Sequence, residues 1–151
     1  MDHSIKAGEL FLGGCNCAQA VVLAFEDVTG LDRKTAAQLS APFGGGIGRM
    51  REVCGAVSGM MMVLGTLYGY DDTVKDDAQK RETYKAVQEL AGKFREECGS
   101  IICREILKNP PSDPNPTPRT AEFYAKRPCS RMVMTAARLM DEFIAEHPIE
   151  K

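Results

Sequence analysis

The residues in this chain with the most chemistry in them are six cysteines: Cys15, Cys17, Cys54, Cys98, Cys103 and Cys129. Four stand at or near the expected starts of helices and lead into apolar faces: Cys17 before Ala18-Gln19-Ala20-Val21, Cys54 before Gly55-Ala56-Val57, Cys103 in a short helix, and Cys129 before the last one. A helix N-terminus offers unpaired backbone N–H groups and the positive end of the macrodipole, and both stabilise thiolate over thiol. Sulfur placed there is prepared to act as a nucleophile or a ligand. Four such thiolates brought together could hold a zinc ion tetrahedrally, ligate an iron–sulfur cluster, or work as two dithiol/disulfide pairs. The spacing leaves all three open.

Two short Cys-x-x-Cys knuckles of the zinc type are missing, as are a thioredoxin-type Cys-x-x-Cys and the Cys-x-x-Cys-His of haem attachment. Any single free cysteine is more often a small buried hydrophobe than a reactive group. That reading suits Cys98, which continues an apolar stripe. Cys15, two residues from Cys17, could resolve a sulfenic acid or add a ligand. His3 and His147 lie near the ends of the chain, away from any motif, and receive neither a catalytic nor a ligand role. Cys–His nucleophilic catalysis is thereby set aside.

The elements that must position the sulfurs read as helices throughout. Ile5, Gly8, Phe11 and Leu12 give a first helix that Gly13-Gly14 stops. Asn16 caps a second, with Gln19 completing a capping box and Cys17, Val21, Ala24, Phe25 and Val28 on one face, up to Gly30. Asp32 caps a third through Ala41, which Pro42 and Gly44-Gly45-Gly46-Ile47-Gly48 end. Asp71 and Asp72 are expected to open a long polar helix with a stripe of Tyr84, Val87, Ala91, Phe94 and Cys98, closed by Gly99. A short helix from Ser100 ends before Pro110-Pro111. The stretch 110–118 holds five of the eight prolines and reads as an extended surface connection. Cys129, Met132, Val133, Ala136, Ala137, Met140, Phe143 and Ile144 mark the last and clearest helix.

From Val53 to Tyr70 there is no charged residue, and Gly55, Gly59, Gly65 and Gly69 form two G-x-x-x-G pairs. With Ser58, Thr66 and four glycines the segment is only modestly apolar. It is expected to be a central core helix whose Gly55 and Gly59 admit a close neighbour or a cofactor. Gly44 to Arg51 could cradle an anion through backbone N–H groups backed by Arg49 and Arg51. Without Gly-Lys-Ser/Thr or a preceding strand it reads as a turn, placed to cover the cysteines. Met60-Met61-Met62 point in different directions around a helix, so they fill core and do not share a copper ion.

At 151 residues, 44% hydrophobic and 26% charged, the chain fits one domain, 1–151. Its 19 basic and 21 acidic residues are well mixed, which argues against nucleic acid and anionic membrane surfaces as partners. No secretory signal is visible at the start, and a cytoplasmic protein is expected. In that compartment structural disulfides are rare, so six cysteines point to metal, redox chemistry or burial.

The segments Phe11-Leu12-Gly13-Gly14-Cys15-Asn16-Cys17-Ala18-Gln19-Ala20-Val21, Phe43-Gly44-Gly45-Gly46, Cys54-Gly55-Ala56-Val57-Ser58-Gly59, Gly99-Ser100-Ile101-Ile102-Cys103-Arg104-Glu105 and the late Cys129 resemble, in order, the family called C_GCAxxG_C_C. That resemblance implies redox activity through four shared cysteines, which fall on Cys17, Cys54, Cys103 and Cys129. An aromatic residue usually precedes the family's Asn-Cys pair, so Cys15 departs from the pattern. The expectation is therefore an all-α, single-domain bundle of about five to seven helices around a glycine-rich central helix. Its four-cysteine site would serve an oxidoreductase or electron-transfer protein. It would do so by thiol/disulfide exchange with an unidentified redox partner, or by ligating an iron–sulfur cluster or, second, zinc, with no cofactor in the dithiol case. The alternative is a non-catalytic structural or interaction module with buried or zinc-binding cysteines. Glycine-rich helical faces suit a homodimer, and no membrane insertion is expected.

Overall fold

The structure is a computed structural model that describes residues 2–149. Its helices begin where short polar side chains can take up the first free amides. The Asp2 carboxylate accepts from the Ser4 N–H and starts α1 (His3–Leu12). Asn16 starts α2 (Cys17–Ala24) with the expected capping box: its side chain accepts from the Gln19 N–H at 2.9 Å while Gln19 Oε1 accepts from the Asn16 N–H at 3.1 Å. After α3 (Glu26–Thr29), Asp32 caps α4 (Arg33–Ser40), which runs into a 3₁₀ turn at Ala41–Phe43. Cys54 itself is the N-cap of α5 (Gly55–Tyr68). The remaining elements are α6 (Asp77–Cys98), α7 (Cys103–Ile106), α8 (Ala121–Lys126) and α9 (Cys129–Glu146).

The protein is all-α. Among the described residues the single strand-type pairing is an isolated antiparallel bridge between Val53 and Ile102. Two short helices come on top of those read from the sequence. The second helix breaks at Phe25, which separates α3 and its Val28, and Thr120 caps α8 by accepting from the Phe123 N–H. The long polar helix starts at Asp77 and not at Asp71. Asp71 instead folds onto the Thr73 N–H and hydroxyl to make a turn, leaving Asp76 to cap the helix through the Ala78 N–H.

α9 is the spine of the core, with Met132, Val133, Ala136, Ala137 and Met140 essentially inaccessible. α1, α2, α5 and α6 all pack on it, and α2 lies between α1 and α5. The face of α1 differs in part from the expected one: Gly8 and Phe11 are buried as expected, together with His3 and Ala7, while Ile5 and Leu12 are exposed. His3 sets that rotation. Its ring stacks on Phe25 at 4.1 Å, and its two nitrogens reach Asp141 at 2.6 Å and Asp27 at 3.0 Å, tying α1 to α9 and α3. Gly8 allows the approach, since a Cβ there would lie 3.1 Å from the Met134 side chain.

The central helix crosses α2 at backbone distance. A Cβ on Gly59 would stand 2.7 Å from the Ala18 carbonyl oxygen, and one on Gly55 3.1 Å from both Ala18 N and Cys17 Cβ. Gly65, by contrast, faces open space. The first G-x-x-x-G pair thus serves helix packing inside the protein, and among the described residues no helix is long and apolar enough to cross a membrane. The three methionines divide as their helical positions require. Met60 is buried, Met61 flanks the main core, and Met62 flanks a smaller cluster of Val22, Leu23 and Ala36.

Candidate functional site

Cys17, Cys103 and Cys129 are the first residues of α2, α7 and α9, and Cys54 caps α5. The crossing of α2 with α5 and the seating of both on α9 bring these helix starts to one end of the bundle. All four sulfur-bearing residues line a single cavity of about 30 Å³, room for about two water molecules. Cys54, Cys103 and Cys129 are buried, Cys17 is half-buried, and all four are free thiols. Cys15 and Cys98 are not in its wall.

The glycine-rich loop walls one side of the cavity. Gly45, Gly46, Ile47, Gly48, Arg49 and Arg51 all have positive φ, between 55° and 72°, which coils the loop tightly. Its N–H groups from Ile47 to Glu52 donate to the carbonyls of Pro42, Phe43, Gly44, Gly45, Gly46 and Ile47. These six are spent within the loop. The loop forms a wall, with Gly46 so close that a Cβ would lie 2.7 Å from Cys103 Cβ. The Cys54 N–H donates to the Ile101 carbonyl and the Cys103 N–H to the Glu52 carbonyl, each at 2.7 Å, which fastens the starts of α5 and α7 side by side.

Arg51 enters this cavity and is only 4% exposed. Its Nε donates to the Pro111 carbonyl at 2.9 Å and its Nη1 to Cys103 Sγ at 3.6 Å, while Nη2 has no partner. Arg49 reaches out to the Asp113 carbonyl and the Thr117 hydroxyl, both at 2.8 Å. The proline-rich connection is therefore latched across the loop by two arginines.

The four thiols are electrically unequal. Cys17 donates a hydrogen bond to the Cys129 sulfur. This bond, together with burial, holds the Cys17 thiol well above its ordinary range. The same bond draws Cys129 down to about 7 against the opposing effect of burial, with Arg127, Arg119 and Arg51 adding positive potential. Burial pushes Cys54 up to about 12, outweighing the helix amides at Ala56 and Val57. It also raises Cys103, against the hydrogen bond from Arg51. Of the four, only Cys129 is shifted toward thiolate, by its neighbours and not by the helix start.

A testable consequence concerns alkaline stability. The folded Cys54 keeps a proton that the unfolded chain releases above about pH 9, so its contribution is intact below that pH and is lost as pH rises toward 12. At pH 10.5 the loss from this one group is about 2 kcal/mol. Cys129 shifts the other way and offsets part of this slope until its unfolded thiol has also ionised, but it does so equally in the parent and the Cys54→Ala chains. Urea denaturation at pH 8.5 and pH 10.5 should show a smaller decline for Cys54→Ala than for the parent chain. Equal declines would refute the assignment.

Among the described residues no three His, Cys, Asp or Glu side chains are grouped so as to hold a metal ion. Zinc and iron–sulfur sites take three or four thiolate or imidazole donors on one ion or cluster. As arranged, this donor set does not fit either one. Gly59 faces α2 and not the cavity, which leaves Gly55 alone of the two glycines in its wall.

The family model described as “Putative redox-active protein (C_GCAxxG_C_C)” matches residues 15–143. The chain belongs to the C_GCAxxG_C_C family. No curated protein and no solved structure shows a significant match. The residues quoted for the C_GCAxxG_C_C resemblance account for the four cysteines and for the glycine loop that walls them, and so for one end of the bundle. They do not account for the arginines. The residue types mark Arg51 only as a charge backing an anion-binding turn, and give Arg119 and Arg127 no role. The one available signal was Arg127 standing two residues before Cys129.

Proposed function

We propose that this protein is a thiol/disulfide redox protein in which Cys129 is the nucleophile and Cys17 the resolving thiol. The hydrogen-bonded Cys17–Cys129 pair carries this reading, because its two sulfurs are shifted in opposite directions by one shared proton. Such a pair supplies what exchange needs: a thiolate near neutral pH and a neighbouring thiol to attack the mixed disulfide. The Cys129 thiolate attacks one sulfur of a substrate disulfide RSSR. A Cys129–SR bond forms, the S–S bond breaks, and RS⁻ leaves with the electron pair. Cys17, having given up its proton to solvent or to the departing thiolate, then attacks Cys129 Sγ and expels the second RS⁻. The protein dithiol is oxidised by two electrons and RSSR is reduced to two thiols. Cys54 and Cys103 stand behind this pair as protonated thiols in the same cavity.

Oxidation by excess oxidised dithiothreitol, followed by peptide mass spectrometry, should yield a Cys17–Cys129 disulfide. With Cys17→Ser the reaction should stop at the mixed disulfide on Cys129. A Cys17–Cys129 pair that stays reduced, or stoichiometric iron or zinc in anaerobically purified protein, would overturn the proposal.

A further inference from the structure

Cys17 and Cys129 also open onto a groove of about 450 Å³ on the outer side of the glycine loop, a volume typical of small-molecule sites. Its walls come from the loop, the proline-rich connection and α8. Every charged residue in its lining is an arginine: Arg49, Arg51, Arg119 and Arg127. Among the described residues none of the four is in an ion pair, although the chain pairs other cations, including Arg33, Arg104 and Arg138. The Asp113 carboxylate, whose charge acts on Arg49 without forming an ion pair, accepts from the Asn115 N–H.

The four arginines are held by neutral partners. Arg119 donates to the carbonyls of Phe11 and Cys15 and lies over the Phe11 ring at 4.5 Å. The Arg127 guanidinium lies over the Phe123 ring at 5.1 Å, and this side chain makes no hydrogen bond among the described residues. Arg51 keeps Nη2 unpartnered although it is almost wholly buried, and it lines both the inner cavity and the groove. An unpaired buried guanidinium N–H costs free energy that an anionic acceptor recovers. A net positive, partly aromatic groove ending on a nucleophilic sulfur fits one class of substrate.

We infer that the groove selects low-molecular-weight disulfides bearing carboxylates, with Arg51 Nη2 and Arg127 receiving the anionic groups and presenting the disulfide to Cys129. This deepens the exchange reading and rests on it. The exchange step is the one written above, with R carrying the carboxylate. Arg51 and Arg127 make and break no covalent bond.

Three symmetrical disulfides of like size separate charge from reactivity: 3,3′-dithiodipropionate is dianionic, 2-hydroxyethyl disulfide neutral and cystamine dicationic. Mixed-disulfide formation on Cys129 of the Cys17→Ser chain, followed by intact-mass spectrometry, gives the three rates. At low ionic strength the dianion should react roughly tenfold or more faster than the neutral compound, with the dication slowest, and 0.5 M KCl should compress the series. Arg127→Gln should reduce the dianion-to-neutral ratio several-fold. That ratio cancels any change in thiolate fraction, which acts on all three reagents alike. Arg51→Met should do the same, and Arg127 lies nearer the surface should the buried substitution prevent folding. Equal rates, or a faster dication, would overturn the inference and leave thiol exchange standing. No reaction with any of the three would overturn both.

Discussion

Replacing Cys129 by serine is expected to abolish the fast phase of thiol alkylation near neutral pH. At pH 7 a thiol with a pKa of about 7 is half ionised, whereas an ordinary cysteine near 8.5 is about 3% ionised. Cys54, held at about 12, is ionised only to about one part in a hundred thousand at that pH. Iodoacetamide should therefore label Cys129 well before Cys54, with a rate that climbs through pH 7 and levels off above it. Cys17→Ala removes the donor that is the largest cause of the depression and should move that inflection upward, while leaving Cys129 present to report it. Peptide mass spectrometry across pH 5.5 to 9.5 reads both effects. An inflection that already lies near 8.5 in the parent chain and does not respond to Cys17→Ala would remove the basis for Cys129 as nucleophile.

The second large effect is expected on stability. Gly46→Ala must place a Cβ at φ +72°, where L residues are strained. That carbon would meet Cys103 Cβ and the Glu52 amide nitrogen at 2.7 Å and Arg51 Cα at 2.8 Å. Two of these neighbours are backbone atoms, which cannot turn aside as a side chain can. Strain and overpacking together should cost roughly 2–4 kcal/mol. Relief would come from moving the loop off α7, which breaks the Arg51 contact to Cys103 and unseats the latch at Pro111. Urea denaturation should show the loss of stability, and Cys103 should become accessible to alkylation in the native state. The Gly48 position is the control. It has positive φ as well, but a Cβ there meets only the Pro42 carbonyl, at 3.9 Å, so Gly48→Ala should bear the conformational cost alone.

Much of the frame was legible in the residues because helix caps are local chemistry. Asn16 with Gln19, Asp32 and Gly99 each act on amides or carbonyls within a few positions along the chain, and each does in the structure what its type and spacing predict. Asp71 shows the limit of that reasoning. A carboxylate before a polar helix could cap it or make a turn with the next threonine, and the turn won because Asp76 was available downstream. The face of α1 was misjudged for another reason. His3 ranks low as a core residue, and only its partners Asp27 and Asp141, 24 and 138 residues away, make its burial favourable.

The sequence by itself determined that this protein is helical, that four of its cysteines sit at helix starts, and that a glycine loop precedes one of them, since all of these follow from spacing along one chain. Only the tertiary structure makes the four sulfurs electrically unequal. The dipole argument treats the four alike. Burial raises Cys54 and Cys103, and the hydrogen bond to Cys129 together with burial raises Cys17, while at Cys129 that bond and Arg51, Arg119 and Arg127 overcome burial. Arg127 adjoins Cys129 along the chain, whereas Arg51 is held by Pro111 across 60 residues and Arg119 by Cys15 across 104, contacts that no local pattern records.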